Sequence, residues 1–313
     1  MKTFIRVIEV WVPDAERHLL EFGAGLYGSA KSFGALSRSM CFGRGEGLPG
    51  RAWDSGRPII LKQLEGSYFR RGWAAAAEGL NCAIALPFFS ANQLDAVMVI
   101  FCGDDKTHVG AIELWHNAPA RPQDLSLLEG YYGGTAEVFE FMSRHMSFRK
   151  GNGLPGLAWE SGLPVFLPDL GKGTRFLRAD SAIKVGINRG FAIPCSTPGA
   201  DTHVLVCLSA LATPIVRRFE TWLPDGAEQG LLRHDGFCEA LGAMGVGTPS
   251  ERVERGQGAR GRVLATGVPS IAERAVDEPG AVGAAARQAG LQSFVAMPVS
   301  RQGRVVAVVG WYF

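Results

Sequence analysis

Three times along the chain a run of apolar residues is interrupted by one acidic residue and closed by a tryptophan: Ile8-Glu-Val-Trp11, Ile112-Glu-Leu-Trp115 and Phe219-Glu-Thr-Trp222. The residues before each one alternate or are apolar, which predicts a β-strand. Further along, Ala85-Leu-Pro87, Ala192-Ile-Pro194 and Ala296-Met-Pro298 each lead, after a turn, into a β-branched apolar run. A proline removes one ladder donor, so this strand is predicted to carry a bulge or to lie partly at an edge. The longest apolar runs, 96–102 and 305–311, are of strand length and too short to cross a bilayer.

Between these strands the pattern changes. Residues 73–80, 179–187 and 283–291 are Ala-rich and close with Gly79, Gly186 and Gly290 placed as helix C-terminal glycines, so each predicts a helix. Ahead of them, Gly45-Glu-Gly-Leu-Pro-Gly-Arg-Ala-Trp-Asp-Ser-Gly-Arg-Pro58 returns as Gly151-Asn-Gly-Leu-Pro-Gly-Leu-Ala-Trp-Glu-Ser-Gly-Leu-Pro164. A worn third copy, Gly256-Gln-Gly-Ala-Arg-Gly-Arg-Val-Leu-Ala-Thr-Gly-Val-Pro269, keeps the glycines and the last proline but has Leu264 where Trp53 and Trp159 stand. Gly50, Gly156 and Gly261 lie 106 and 105 residues apart. A fixed period of that length means one domain repeated. Pro58 and Pro164 limit any helix after the glycine-rich loop to about two turns. Each unit therefore reads strand, helical middle, strand, strand, and the joints near 103–110 and 211–213 are short. The predicted domains are 1–104, 105–211 and a divergent 212–313.

This arrangement resembles the GAF domain, with its opening strand pair, glycine-rich turn, helix, Ala-x-Pro strand and closing hydrophobic strand. The resemblance covers nearly the whole chain. It implies an α+β fold, three tandem GAF-like domains, each an antiparallel sheet with helices packed on it. It also implies a small-molecule pocket roofed by the middle helices and loops. Gly47-Leu-Pro-Gly-Arg51 and Ala85-Leu-Pro87 make the first unit similar to the GAF-like domains of NIN-like nitrate-responsive regulators. The short joints leave little room for the terminal helices that flank such domains, so dimerisation through a helix bundle is not expected. The chain ends on its last strand, at Trp311-Tyr-Phe313, so its output is expected to lie in a partner.

Composition adds exclusions. The 313 residues carry 32 basic and 30 acidic side chains, a balance that does not call for nucleic acid or an anionic membrane. Residues 1–13 alternate and include Arg6 and Glu9, unlike the apolar core of a secretory signal, so a cytoplasmic protein is expected. Cys41, Cys82, Cys102, Cys195, Cys207 and Cys238 form no CxxC pair, and the six histidines form no HxH or HxxxH pair. Free thiols and no metal site are predicted.

The glycine spacing formally fits a dinucleotide fingerprint. The prolines stop the following helix too early for one, so Gly45, Gly47, Pro49 and Gly50, like Gly151, Gly153, Pro155 and Gly156, read as structural turns. A narrower alternative gives the loop amides an anion, together with Arg44, Lys150 or Arg255. Trp53 and Trp159 read as core packing. Arg70, Arg71 and Trp73 in the first unit, and Arg175, Arg178, Lys184 and Arg189 in the second, fall on the segment that roofs the pocket in the resembled family. They are the candidates for meeting a small organic or anionic ligand, weighed against a solvated basic face.

Neither a catalytic constellation nor a nucleophile elbow is present. Free methionine sulfoxide reductases place cysteines in the glycine-rich turn, where this chain has Leu48-Pro49 and Leu154-Pro155. The leading expectation is a non-enzymatic sensor that binds a small ligand in unit one or two and signals to a partner protein. An interaction scaffold without ligands is the alternative, and a redox enzyme the third.

Overall fold

The computed structural model describes residues 2–103, 109–117, 122–134, 137–195, 197–198 and 201–313. The joint within 103–110, with the 104/105 domain boundary, therefore lies largely outside the described residues. The first unit runs β1 (Ile5–Pro13), β2 (Leu19–Leu26), α1 (Lys31–Ser37), β3 (Cys41–Gly43), α2 (Gly47–Ser55), β4 (Ile59–Leu61), α3 (Gly72–Ala77), β5 (Leu80–Ser90) and β6 (Gln93–Gly103). The second runs β7 (Gly110–His116), β8 (Leu125–Tyr131), α4 (Glu137–Arg144), β9 (Ser147–Phe148), α5 (Gly153–Ser161), β10 (Val165–Leu167), α6 (Ala179–Lys184), β11 (Arg189–Cys195) and β12 (His203–Ser209). The third runs β13 (Arg218–Pro224), β14 (Gly230–Cys238), β15 (Gly242–Met244), β16 (Val253–Glu254), α7 (Gly258–Thr266), β17 (Ser270–Ala272), α8 (Ala281–Ala289), β18 (Phe294–Arg301) and β19 (Arg304–Tyr312).

Each unit is one antiparallel sheet on the same path. The orders are β3-β2-β1-β6-β5-β4, β9-β8-β7-β12-β11-β10 and β15-β14-β13-β19-β18-β17, with β16 also on β14. The first two units follow the repeat element for element. In the third, the stretch after β14 forms β15, and a single 3-10 turn, Pro249–Glu251, stands where α1 and α4 stand.

The predicted middle helices of the first two units are present but shorter than read, while α8 has the length read for it and lies two residues earlier. α3 and α6 stop two residues before Gly79 and Gly186, whose φ angles of +67° and +83° are left-handed. The glycines thus act as C-terminal stops, and Leu80 belongs to β5. The Ala-x-Pro prolines also follow the edge expectation. Pairing with the outer short strand ends at Ala85, Ala192 and Ala296, two residues before each proline. The missing donor therefore falls beyond that ladder.

The glycine-rich turn is built alike three times. Gly45 donates to the carbonyl of Gly50 at 2.8 Å, Gly151 to Gly156 at 2.9 Å and Gly256 to Gly261 at 2.7 Å. A Cβ on Gly50, Gly156 or Gly261 would stand 2.0, 2.2 or 2.1 Å from the carbonyl oxygen of Gly43, Arg149 or Glu254. Only glycine lets the helix approach the preceding strand so closely. The first amide of each loop is spent inside the turn. Of the basic neighbours, Arg44 pairs with Asp54 at 2.9 Å and Lys150 lies over the Trp159 ring at 5.1 Å.

Burial explains the nearly unbroken apolar runs. In β1, Val7 and Trp11 face the helices of their own unit, while Ile8 and Val10 face a second core. In β6, Val97, Val99 and Phe101 face the helices, and Met98, Ile100 and Cys102 face that second core. The second core is common to all three units, drawing Ile112, Leu114, Phe191 and Leu205 from the second and Phe219, Met297, Val309 and Trp311 from the third. Each sheet is therefore buried on both faces, the condition that favours continuous hydrophobic strands over alternating ones.

The three units close into a ring around this core. β4 lies beside β8, β11 beside β18 and β17 beside β2, so the third unit returns to the first. Lys62 and Glu129 pair at 2.6 Å across the first seam. Phe166 meets Phe219 at 4.2 Å across the second. Another unit's hairpin stands over the C-terminal glycine of each α2-type helix: a Cβ on Gly56, Gly162 or Gly267 would meet Pro198, Arg301 or Asp95 at 3.3, 3.9 or 3.7 Å. Pro87, Pro194 and Pro298 converge on one small cavity, where the three Ala-x-Pro strands meet.

Candidate functional site

The space between each sheet and its helices is where the predicted ligand candidates would act, and in each unit it centres on the acidic residue of the opening strand. Glu9 alternates into that space with Val7 and Trp11 and is fully buried. Arg71, at the start of α3, reaches it as a fork: Nη1 donates to Glu9 Oε1 at 2.6 Å and Nη2 to Oε2 at 2.9 Å. Trp11 Nε1 donates to Oε2 at 3.1 Å, and the Tyr27 hydroxyl to Oε1 at 3.1 Å. Arg71 Nη1 also donates to Ser37 Oγ on α1. Aromatic rings surround the guanidinium, with Phe33 at 4.6 Å, Phe69 at 5.1 Å and Trp11 at 5.5 Å.

The second unit repeats this with every part replaced by its counterpart. Arg178 grips Glu113 at 2.5 and 2.8 Å, Trp115 and Tyr132 each donate to it at 3.0 Å, and Ser143 on α4 accepts from the guanidinium. Phe139 and Phe176 lie 5.1 and 5.2 Å from that guanidinium. A buried carboxylate costs several kcal/mol to desolvate unless bidentate pairing and further donors compensate. Both are supplied here.

The third unit reaches the same end from different positions. Counting back eight residues from the helix-stopping glycine gives Arg71, Arg178 and then Val282, so the arginine is lost there. Instead, Arg260 stands where Pro49 and Pro155 stand, and its Nη2 donates to Glu220 Oε2 at 2.6 Å. Arg218, two residues before Glu220 on β13, donates to Oε1 at 3.1 Å. Trp222 and the Tyr312 hydroxyl complete the set at 2.9 and 3.1 Å. The worn motif Gly256-Gln-Gly-Ala-Arg-Gly thus carries the replacement cation.

Electrostatics follow from this packing. Burial would push the Glu113 carboxyl up, but the charge and hydrogen bonds of Arg178 outweigh it and hold the group below its ordinary value. Burial acts likewise on Glu220, and the charges of Arg260 and Arg218 outweigh it, to about 2 from 4.5. Tyr27, Tyr132 and Tyr312 are raised, first by burial and then by the neighbouring carboxylate, so they stay protonated donors. As the pH falls, the unfolded chain takes up the Glu220 proton first. The stabilisation is therefore complete above about pH 4.5 and lost as the pH falls toward 2. A urea titration followed by tryptophan fluorescence between pH 6 and 3 is expected to show a midpoint that falls with pH.

The remaining candidates are dispersed. Trp73, Arg175 and Lys184 are exposed, and Arg70 pairs with Glu46 at 2.5 Å on the surface. Arg189 belongs to the seam between the second and third units, where it grips Glu239 at 2.9 and 3.1 Å over the Phe237 ring. Trp53 and Trp159 are half-buried against their own units' cores. Arg71 and Arg178, read from the sequence as candidates for an anionic ligand, meet an anionic group of the chain itself. Sequence reasoning had that group in view in the repeated Glu-x-Trp, but took it only as a strand marker.

None of the six cysteines is in a disulfide. Burial pushes the Cys195 and Cys207 thiols up to about 12 and also raises the Cys102 thiol well above its ordinary value, the reverse of an activated nucleophile. Among the described residues no group of three or more His, Cys, Asp or Glu is placed to hold a metal ion. No helix among them is long and apolar enough to cross a membrane.

The GAF domain family model matches residues 6–131, from β1 through β8, and so includes the Glu9 and Glu113 strands. Over that stretch the chain is similar to the GAF domain family. The repeated sheet path extends the same fold over the other two units. Similar solved structures include an A. aeolicus GAF domain in an inactive state, at 19% identity over 32% of this chain and 59% of that one, with a TM-score of 0.26. A GAF/HD-domain protein from Geobacter sulfurreducens aligns at 18% identity over 33% and 65%, TM-score 0.28. A free methionine-R-sulfoxide reductase from Neisseria meningitidis aligns at 14% over 31% and 52%, TM-score 0.25. The aligned part spans between about half and two thirds of those chains. No curated protein matches the chain in sequence.

Proposed function

We propose that this GAF array is a non-catalytic regulatory scaffold that works through its protein surfaces, with the chamber of each unit closed by the chain's own ion pair. The observation that carries this reading is the triple recurrence of a buried arginine on a buried glutamate, each side chain at most 3% exposed. GAF domains in general sense small molecules and regulate partners. Here a ligand entering the chamber would have to displace Arg71, Arg178 or Arg260 and leave its glutamate bare, at a cost of several kcal/mol. The raised thiols argue against a redox enzyme, and six cysteines outside any disulfide suit a reducing, cytoplasmic compartment.

The test is native mass spectrometry of the purified chain together with melting curves in nitrate, cyclic nucleotides and amino acids. The scaffold reading expects the mass of the bare chain and an unmoved melting temperature. A copurifying molecule that is lost on Arg178→Lys substitution would overturn it in favour of a sensor.

A further inference from the structure

The outer faces of the first two units differ. On α4, Val138, Phe141 and Met142 are 66, 60 and 40% exposed, and with His145 they follow the i, i+3, i+4, i+7 spacing of a single helix face. Phe139 and Ser143, on the opposite side, hold the helix to its unit. α4 lies against α6, where Ile183 is 43% exposed and Leu177, two residues before the helix, 54%. The repeat provides an internal comparison: the counterparts in the first unit are Ser32, Ala35, Leu36, Arg70 and Ala76. That unit keeps one exposed ring, Trp73, where the second has Asp180. An apolar cluster on one copy of a repeat, where the other copy is mostly polar or small, marks an interaction surface rather than a requirement of the fold.

We propose that this α4–α6 face of the second unit docks on the same face of a second copy of the chain. The charges on α4 argue for that occupant. Its first turn carries Glu137 and Glu140, and its end carries Arg144 followed by His145. A two-fold contact lays α4 antiparallel to its mate, which brings Glu137 opposite His145 and the Glu140–Arg144 pair of the other helix at both ends and Phe141 onto the axis. The same polarity holds on α6, from Asp180 to Lys184. A patch of two short helices is small, which places the dimer in the weak, micromolar class. The proposal does not rest on closed chambers, because the face is outside them.

Sedimentation of the full chain over a hundredfold range of protein concentration tests it. The native chain is expected to pass from monomer to dimer at tens of micromolar, as order of magnitude. Phe141→Glu is expected to stay monomeric with an unchanged urea midpoint, and Glu137→Lys to weaken association several-fold. Ala35→Glu, at the matching place in the first unit, is expected to dimerise as the native chain does. A native chain that is monomeric throughout, or a dimer that survives Phe141→Glu, overturns the proposal.

Discussion

Replacing Arg71 with alanine is expected to destabilise the protein by about 3–5 kcal/mol, because it leaves a buried carboxylate without its counter-charge. Glu9 would retain only the Trp11 indole and the Tyr27 hydroxyl. Urea unfolding reads the loss directly. The origin is separable by a second variant: Glu9→Leu with Arg71→Met removes both charges and keeps the volume, and it is expected to recover most of the stability. Arg178→Ala is expected to behave like Arg71→Ala. Arg70→Ala and Arg175→Ala, one residue and three residues away but exposed, are expected to stay within about 0.5 kcal/mol of the native chain. A double variant as unstable as the single one would show that the arginine acts by packing and not by charge.

The second large effect concerns the ring. Each unit of a linear repeat array touches only its neighbours, and its stability is close to a sum of local terms. Here the third unit packs on both others, and Phe219, Met297, Val309 and Trp311 complete the common core. Ending the chain after residue 212 is therefore expected to uncover the inner faces of two sheets. The truncated chain should aggregate or bind a hydrophobic dye, where the full chain unfolds in one cooperative transition. Trp311→Ala, a single change within that core, is expected to cost about 3–5 kcal/mol and to lower the midpoint of all three units together. A monomeric 1–212 chain with the native melting temperature would rule out the shared core.

What the sequence disclosed and what it hid divide along a physical line. Local chemistry was legible. Gly50, Gly156 and Gly261 announce a turn that no Cβ can enter, Gly79 and Gly186 announce helix ends, and the prolines of the Ala-x-Pro strands announce a ladder edge. Partnership across long separations was not. Glu9 and Arg71 are 62 residues apart, and Glu113 and Arg178 are 65. Periodicity carries no signal at that range. The available clue was chemical: an acidic residue in the same place in three strands whose neighbours are apolar, and an arginine eight residues before two of the three helix-stopping glycines. The third unit hid its solution best, since Arg260 appears to a reader of the sequence as damage to the Leu-Pro-Gly motif. The ring could not be read at all, because the runs at 96–102 and 305–311 report burial on both faces but not what covers them.

Restoring the missing cation from solution tests the closed-chamber account most directly. Arg71→Ala should leave a cavity beside Glu9 shaped for a guanidinium, lined by Phe33, Phe69 and Trp11. Millimolar methylguanidinium is predicted to raise the urea midpoint of Arg71→Ala saturably, and to leave the native chain and Arg70→Ala unmoved. An equal response in all three proteins, or none in Arg71→Ala, would contradict the claim that each chamber is filled by its own arginine.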